Sequence, residues 1–496
     1  MIPLPVAEIA AITGGTLIAP APGIPDSASE SGIPEISTYG AAADAIVTGP
    51  VVIDSRQAAP GALFAALPGE RVDGHDYAAV AVRNGAAAIL AARPLPAAGA
   101  PVIVVADVTL ALGLLARAVL DRLPDATVVG ITGSSGKTST KDLTAQVTER
   151  IGPTIAPEGS LNNEIGLPLT VLRADETTRY LVLEMSARGI GHIAYLTGIA
   201  PPRVGAVLNV GRAHAGEFGS IDAVAKAKGE LVEALPAGSA GGVAVLNADD
   251  PNVAAMAART QARVVTTSVE RAGLESRGDA DVRATGLTLD DLGRASFTLH
   301  TRAGSAPVTL TLHGGHHVAN ALAAAAVAAE LGMEVPAIAD ALTAATARSK
   351  KRMELHERRD GVLVINDAYN ANPDSTRAAI EALAHLTRNG RRGFAVLGYM
   401  AELGDIATES HEEAGGLAAR AGASVIVAVG AEAAPVLDGA RAAEGWQGEA
   451  IAVPDQQAAL AALRNRLRPG DVVLVKASKA AGLWEVADGL LAEDDQ

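Results

Sequence analysis

Two apolar patterns alternate along this chain. Short continuous runs end in polar or turn residues: Val51-Val52-Ile53, Gly61–Leu67, Val128–Ile131, Tyr180–Leu183, Val204–Val210, Gly361–Asn366, Gly393–Leu397, Ser424–Val429 and Asp471–Val475. Between them lie stretches with apolar residues at helical spacing, such as Val6–Ala11, Tyr77–Asn84, Leu110–Leu123, Ile221–Leu235 and the alanine-rich tract Ala319–Ala329. Continuous β-branched runs read as strands buried on both faces, and their alternation with helices predicts parallel sheets with crossover connections. Ligands of such sheets lie beyond the carboxyl ends of the strands, so polar residues at the ends of the runs become the candidates for chemistry. At about 150 residues per domain, 496 residues predict about three domains. The breaks in pattern divide them as 1–106, 107–345 and 346–496. Residues 19–48 are rich in Pro, Ser, Gly and Ala without a period, and read as an exposed insertion free to move.

The most informative run end is Val128-Val129-Gly130-Ile131-Thr132-Gly133-Ser134-Ser135-Gly136-Lys137-Thr138-Ser139-Thr140. A strand enters a Gly/Ser turn, and Gly-Lys-Thr opens a polar helix from Lys137 to Arg150. Glycines let backbone N–H groups curl around a phosphate, and the helix N-terminus adds unsatisfied donors and its positive dipole end. In such a loop Lys137 reaches the terminal phosphates and the Thr138 hydroxyl holds Mg²⁺. The spacing departs from the usual phosphate loop, with five residues between Gly130 and Gly136. The bland alternative is a glycine turn before any α/β helix.

Glu184 and His214 stand at or just past the ends of the next two buried runs, and their ligand types suit Mg²⁺ near phosphates. Ser55 and Arg56 end an early run, where they could meet an anion or simply mark a surface strand end. In the stripe Ile221, Val224/Ala225, Leu231/Val232, Leu235, the inward position 228 is lysine. Lysine is rarely buried without a partner, and snorkelling to the rim is the alternative. Lys226, about 200° around the helix, faces outward. Gly314–Asn320 opens the alanine-rich helix, where helix capping would account for His316, His317 and Asn320.

Composition removes several classes. The net charge of −16 argues against nucleic acid as the main partner. There is no cysteine, hence no disulfide or thiolate chemistry. No apolar run reaches about 18 residues, and no basic-then-apolar leader is evident, so a soluble cytoplasmic protein is expected. The third unit has a Rossmann-like rhythm but no G-x-G-x-x-G fingerprint.

Taken together, Thr132–Thr138, Asn162-Asn163-Glu164-Ile165-Gly166-Leu167-Pro168, Tyr369–Ser375 and Met400-Ala401-Glu402-Leu403-Gly404 resemble the Mur ligase family of peptidoglycan synthesis, over nearly the whole chain except 19–48. The resemblance implies three α/β domains: a small N-terminal domain for a UDP-linked substrate, a central P-loop ATPase-type parallel sheet, and a C-terminal Rossmann-like domain. It implies ATP-dependent amide-bond formation through an acyl phosphate by a cytoplasmic monomer with ATP and Mg²⁺. The small-molecule substrates it suggests are UDP-MurNAc-tripeptide and D-alanyl-D-alanine, with no nucleic acid and no membrane insertion.

Residue by residue, the resemblance makes Gly133, Ser134, Ser135, Gly136, Lys137, Thr138 and Ser139 the ATP loop. It makes Asn320 an adenine contact, Arg352 a phosphate contact and Asp367 a ribose contact. Thr138, Glu184, His214 and a carbamylated Lys228 become the Mg²⁺ ligands; Lys137, Lys228, His214 and Arg352 become catalytic. Ser55, Arg56, Asn162, Asn163, Tyr369, Asn370, Asn372 and Ser375 become substrate contacts. Two positions depart from the family pattern: His317 stands for the usual Asn beside adenine, and Tyr399 for Asp before Met-Ala-Glu-Leu-Gly. Another amide ligase of the superfamily (the diamino-acid-adding branch or folylpolyglutamate synthetase), a P-loop kinase and a non-catalytic nucleotide-binding protein remain alternatives at this level.

Overall fold

The computed structural model describes residues 1–20, 43–69, 72–212, 215–270 and 279–492. The chain divides into two compact units. One comprises residues 1–128, 152–185 and 195–202, the other residues 129–151, 186–194 and 203–496.

The first unit is built on a five-stranded sheet in the order Thr16–Ile18, Val102–Val104, Ala86–Ala91, Ala62–Ala65, Val51–Val52. All its pairs are parallel except the antiparallel edge strand Thr16–Ile18. Its core gathers Phe64, Ile89 and Val102 with the helix residues Ala78 and Ala81. The run read as one strand to Arg56 stops at Val52, and Ser55–Gln57 turns as a 3₁₀ helix. Asp54 causes the turn, because its carboxylate accepts from the Arg56 N–H at 3.0 Å. Residues 21–42 of the insertion lie outside the described residues. Its end is ordered in a way that the missing period did not foretell: Ile46–Val47 pairs antiparallel with Leu4–Pro5. This unit also holds the parallel pair Thr154–Ile155 and Tyr180–Glu184.

The second unit carries two sheets. In the first, Val129–Thr132 pairs parallel with Val204–Val207, register Val129 to Val204. Val243–Asn247, Arg263–Val269 and Val282–Leu289 continue it in parallel, and Arg294–Thr301 and Gly304–His313 close it as an antiparallel meander. The helices Lys137–Thr148 and His317–Glu330 pack against each other. Ala321 to Ala328 are all buried, so the alanine run reflects close helix packing.

The other sheet has the order Glu354–Glu357, Leu363–Asp367, Val472–Lys476, Gly393–Leu397, Ala423–Val429, Glu449–Val453, parallel except for its first strand. The helix after Leu363–Asp367, Pro373–Leu386, packs into one face, and the helix after the neighbouring Val472–Lys476, Trp484–Ala492, into the other. Adjacent strands whose helices leave to opposite faces open a crevice at their carboxyl ends. The mixed α/β architecture expected from the sequence is therefore present. Glu354–Glu357 and Glu449–Val453 were not foreseen, because as edge strands they keep polar, half-exposed sides.

In the same part of the fold, the helices Ala407–Arg420 and Pro435–Arg441 touch backbone to backbone. A Cβ at Gly415 would lie 1.7 Å from the Val436 carbonyl oxygen, and one at Gly439 would lie 1.8 Å from that of Glu412. Gly415→Ala must therefore push the helices apart. The expected loss is about 2–3 kcal/mol, read as a lower urea midpoint; an unchanged midpoint would show that the helices do not approach this closely.

Candidate functional site

Thr127–Thr132 is a β-branched strand, and at its end the chain turns through Gly133–Gly136 into the helix Lys137–Thr148. Gly136 has φ +78°, a left-handed conformation natural to glycine, and a Cβ there would meet Asn320 Oδ1 at 2.5 Å. Asn320 and the loop are thus in direct contact, and the Asn320 Nδ2 lies 3.4 Å from His317 Nδ1. Lys137 Nζ donates to the Gly133 carbonyl at 2.8 Å, which lays the ammonium across the loop. Thr138 is buried, and Ser139 half-buried, in the first turn of the helix.

A residue that sequence reading missed holds the loop in shape. The N–H groups of Ser134 and Ser135 both donate to Asn209 Oδ1 at 2.9 Å, and Asn209 Nδ2 donates back to the Ser135 carbonyl at 3.2 Å. Its only signal was a carboxamide inside the apolar run Val204–Val210.

Lys228 is 3% exposed and Lys226 is exposed, as the helical phase required; Ile221, expected on the inward stripe, is exposed at the helix start. Burial, and then the positive charge of Lys137, hold the Lys228 ammonium well below the usual lysine range. His214 lies outside the described residues.

In the crevice of the second sheet, Asp367 and Lys476 form a buried pair at 2.6 Å, and Lys476 Nζ also donates to the Asn370 carbonyl at 2.9 Å. The other Asp367 oxygen accepts from Met353 N–H at 3.0 Å. Both carboxylate oxygens therefore have protein partners, an arrangement the ribose role did not anticipate. Arg352 sits between Lys351 (φ +62°) and Met353 (φ +51°), two left-handed non-glycine residues, a costly conformation that clusters at functional sites. Its guanidinium lies 4.3 Å from the Tyr369 ring centroid, while Lys351 Nζ lies 4.0 Å from that of Trp484.

Asn372 and Ser375 cap each other at the start of Pro373–Leu386, and Asn372 Nδ2 also donates to the Ser134 carbonyl at 3.2 Å. Their side chains serve the helix and the loop, where substrate contact had been expected. Ser478, also missed, accepts from Ala401 N–H at 2.9 Å and donates to the Ala371 carbonyl at 3.3 Å, tying loops from three strand ends together.

In the first unit, Glu184 is 2% exposed and accepts from Asn162 Nδ2 at 2.7 Å. Asn163 Oδ1 accepts from Gly166 N–H at 2.9 Å at the start of the following short helix. Arg56 is exposed and paired with Asp54 at 2.7 Å; hydrogen bonds from Arg56 hold the Asp54 carboxyl at about 2. The buried Ser55 offers its carbonyl to Asn84 Nδ2 at 2.8 Å. Among the described residues, no three or more His, Asp or Glu side chains gather into a metal cluster.

The buried polar atoms that lack a hydrogen-bond partner among the described residues include Thr132 Oγ1, where the strand meets the loop, and Arg352 Nε. A buried donor without an acceptor is costly, and an anionic, oxygen-rich ligand would satisfy it. The donor set at the loop, with backbone N–H groups, Lys137 and the Thr138 hydroxyl, fits a nucleotide phosphate with a hard divalent cation.

A glycine loop at the end of a parallel strand, with a lysine opening the next helix, defines a phosphate-loop nucleotide-binding α/β protein. The family descriptions Mur ligase middle domain, Mur ligase glutamate ligase domain and Mur ligase catalytic domain match residues 131–328, 351–479 and 50–119. The chain is 49% identical to the UDP-N-acetylmuramoyl-tripeptide–D-alanyl-D-alanine ligase of Mycobacterium tuberculosis, over 100% of this chain and 99% of that one. Its fold is similar to that of MurF from Acinetobacter baumannii, with TM-score 0.82, 31% identity and 99% of each chain covered. It is also similar to MurF ligase from Thermotoga maritima in complex with ADP, with TM-score 0.76, 30% identity, and 90% of this chain and 98% of that one covered. The chain belongs to the Mur ligase family, whose members are ATP-dependent, amide-bond-forming ligases.

Burial depresses two histidines beside this site. His316 falls from an ordinary 6.5 to about 4, with Asp367 opposing the shift and Lys476 adding to it, and His317 falls well below its usual range through burial and its histidine neighbours. A depressed histidine contributes stability above pH 6.5 that is lost as the pH falls toward 4, because the unfolded chain takes up its proton first. Urea midpoints should therefore drop between pH 6.5 and 4.5, and drop less in His316→Gln. Equal pH slopes for the two proteins would show that His316 is not held neutral by the fold.

Proposed function

We infer that this chain joins D-alanyl-D-alanine to UDP-N-acetylmuramoyl-tripeptide with hydrolysis of ATP to ADP and phosphate, making the pentapeptide precursor of peptidoglycan. The observation that carries this reading is full-length identity of 49% to a ligase of that name, with the phosphate loop intact at Gly133–Thr138. We read 1–106 as the UDP-substrate domain, 107–345 as the ATP domain and 346–496 as the C-terminal domain of a cytoplasmic monomer.

A carboxylate is a poor electrophile, so the terminal carboxylate of the tripeptide first attacks the γ-phosphorus of ATP. A C–O–P linkage forms, the bond to the β-phosphate oxygen breaks, and ADP leaves. The amine of D-alanyl-D-alanine then attacks the acyl carbon, losing a proton, and phosphate departs with the former carboxylate oxygen. Catalysis is chiefly positioning and neutralisation of charge on the transferring phosphoryl group. Lys137 supplies a cation and loop N–H donors, and Arg352 brings a second cation whose Nε awaits an acceptor. Mg²⁺, when bound, neutralises phosphate charge; Thr138, Glu184, His214 and Lys228 are the residues that would hold it. A lysine kept neutral by burial can add CO₂, forming an N–C bond and releasing a proton. That turns the neutral Lys228 amine into a carboxylate-like anion. Asn320 is proposed as an adenine contact, and Asp367 as a ribose contact through the lone pairs that Met353 and Lys476 leave free. Ser55, Arg56, Asn162 and Asn163 are proposed for the UDP-linked substrate, and Tyr369 and Asn370 for the acceptor. Water must be kept from the acyl phosphate, since hydrolysis would waste it.

The decisive assay is ADP release that requires both UDP-MurNAc-tripeptide and D-alanyl-D-alanine. Lys137→Ala should remain folded yet lose about 3 kcal/mol or more of transition-state stabilisation, a hundredfold or greater fall in kcat. ADP release driven equally by lysine or diaminopimelate would point instead to the neighbouring branch.

Lys228→Ala should be inactive and partly restored by a short carboxylate in solution, whereas Lys226→Ala should match the parent. Activity lost at 226 and kept at 228 would contradict the role of the buried lysine.

A further inference from the structure

The second unit contains a hydrogen-bonded ring that runs twice through the phosphate loop. Asn372 Nδ2 donates to the Ser134 carbonyl at 3.2 Å, and two residues along the same helical turn Asp374 Oδ2 accepts from Arg212 N–H at 3.1 Å. The preceding residue, Gly211, donates its N–H to Ser134 Oγ at 2.8 Å, and that hydroxyl donates to the Gly211 carbonyl at 3.3 Å. The ring thus passes from Ser134 through Asn372, Asp374, the Arg212 N–H and the adjoining Gly211 back to Ser134. Ser134 and Asn372 are both buried. Outside the ring, Glu413 bridges Arg212, at 2.7 Å, and Arg377 on the same helix as Asp374. Gly211 leaves room for nothing larger, since a Cβ there would fall 1.9 Å from Asp374 Oδ2.

We propose that Asn372 and Asp374 are positioning residues for phosphoryl transfer: through Ser134 and Gly211 they hold the ATP loop in its reacting shape. The role rests on the ligase reading above. Asn372 does two separable things. Its Oδ1 caps the helix Pro373–Leu386, and its Nδ2 reaches the loop. Serine caps a helix nearly as well as asparagine but lacks the amide donor, so Asn372→Ser keeps the first task and loses the second.

The test uses the full-length enzyme and reads ADP release with both substrates, alongside thermal melting. Asn372→Ser should melt within about 2 °C of the parent. Its kcat should fall about tenfold, with KM for D-alanyl-D-alanine unchanged, because the lost bond matters to the loop in the transition state. Gly211→Ala, which leaves the cap untouched, should show a similar fall, and the double variant should be no slower than the slower single one, since both break one ring. A kcat within about twofold of the parent in either folded variant, or losses that multiply in the double, would overturn the proposal. A parent enzyme without D-alanyl-D-alanine-dependent ADP release would instead overturn the functional reading.

Discussion

The phosphate loop can keep its shape only if its own backbone is satisfied, and Asn209 does this. A turn that aims N–H groups inward leaves donors that cost free energy wherever water is excluded. One carboxamide oxygen takes the N–H groups of both Ser134 and Ser135, and its nitrogen returns a bond to Ser135. The strand Val204–Val207 delivers that side chain, because its parallel pairing with Val129–Thr132 sets Asn209 beside the loop. Sheet register thus becomes loop geometry, and a one-residue slip would remove the carboxamide from reach.

Around this loop the second unit treats three of its cations differently: Lys228 and Lys476 are buried and Arg352 half-buried. Lys476 is neutralised by Asp367 at 2.6 Å, as a buried ion must be to persist. Burial and Lys137 drive Lys228 toward the neutral amine, which frees it for chemistry that an ammonium lacks. Arg352 is held in a third way. It rests on the Tyr369 ring with one buried donor lacking a partner, an arrangement that suits an anion brought by the substrate.

What was legible in the sequence follows from the range of each signal. The glycine loop, the buried strand runs and the inward phase of Lys228 are local patterns, and the structure carries all three. The alternation of runs and helices gave the α/β class for the same reason. Asn209, Lys476 and Ser478 were not legible, because each looks like an ordinary polar residue ending or interrupting an apolar run. Only pairing between distant strands brings them to the loops they hold. Asp54 illustrates the opposite failure: a short-range carboxylate-to-N–H bond overrode the apolar pattern and ended a strand early. The edge strands escaped notice because half-exposed strands carry no continuous run.

The strained segment at Arg352 shows why the pair Asp367–Lys476 has to be rigid. Two departures into left-handed backbone, at Lys351 and Met353 on either side of Arg352, cost of the order of 1–3 kcal/mol each. Nothing local favours them, since neither residue is glycine or asparagine. The segment is instead held from outside, by Met353 N–H on Asp367, Lys351 N–H on Glu354 at 2.8 Å and Tyr369 N–H on the Lys351 carbonyl at 3.1 Å. Lys476 fixes the carboxylate that anchors the first of these bonds. A flexible arginine would lose side-chain entropy at the moment of reaction. One whose backbone is held by the fold and whose guanidinium already rests on the Tyr369 ring has met part of that cost beforehand, which favours stabilising charge that develops only in the transition state.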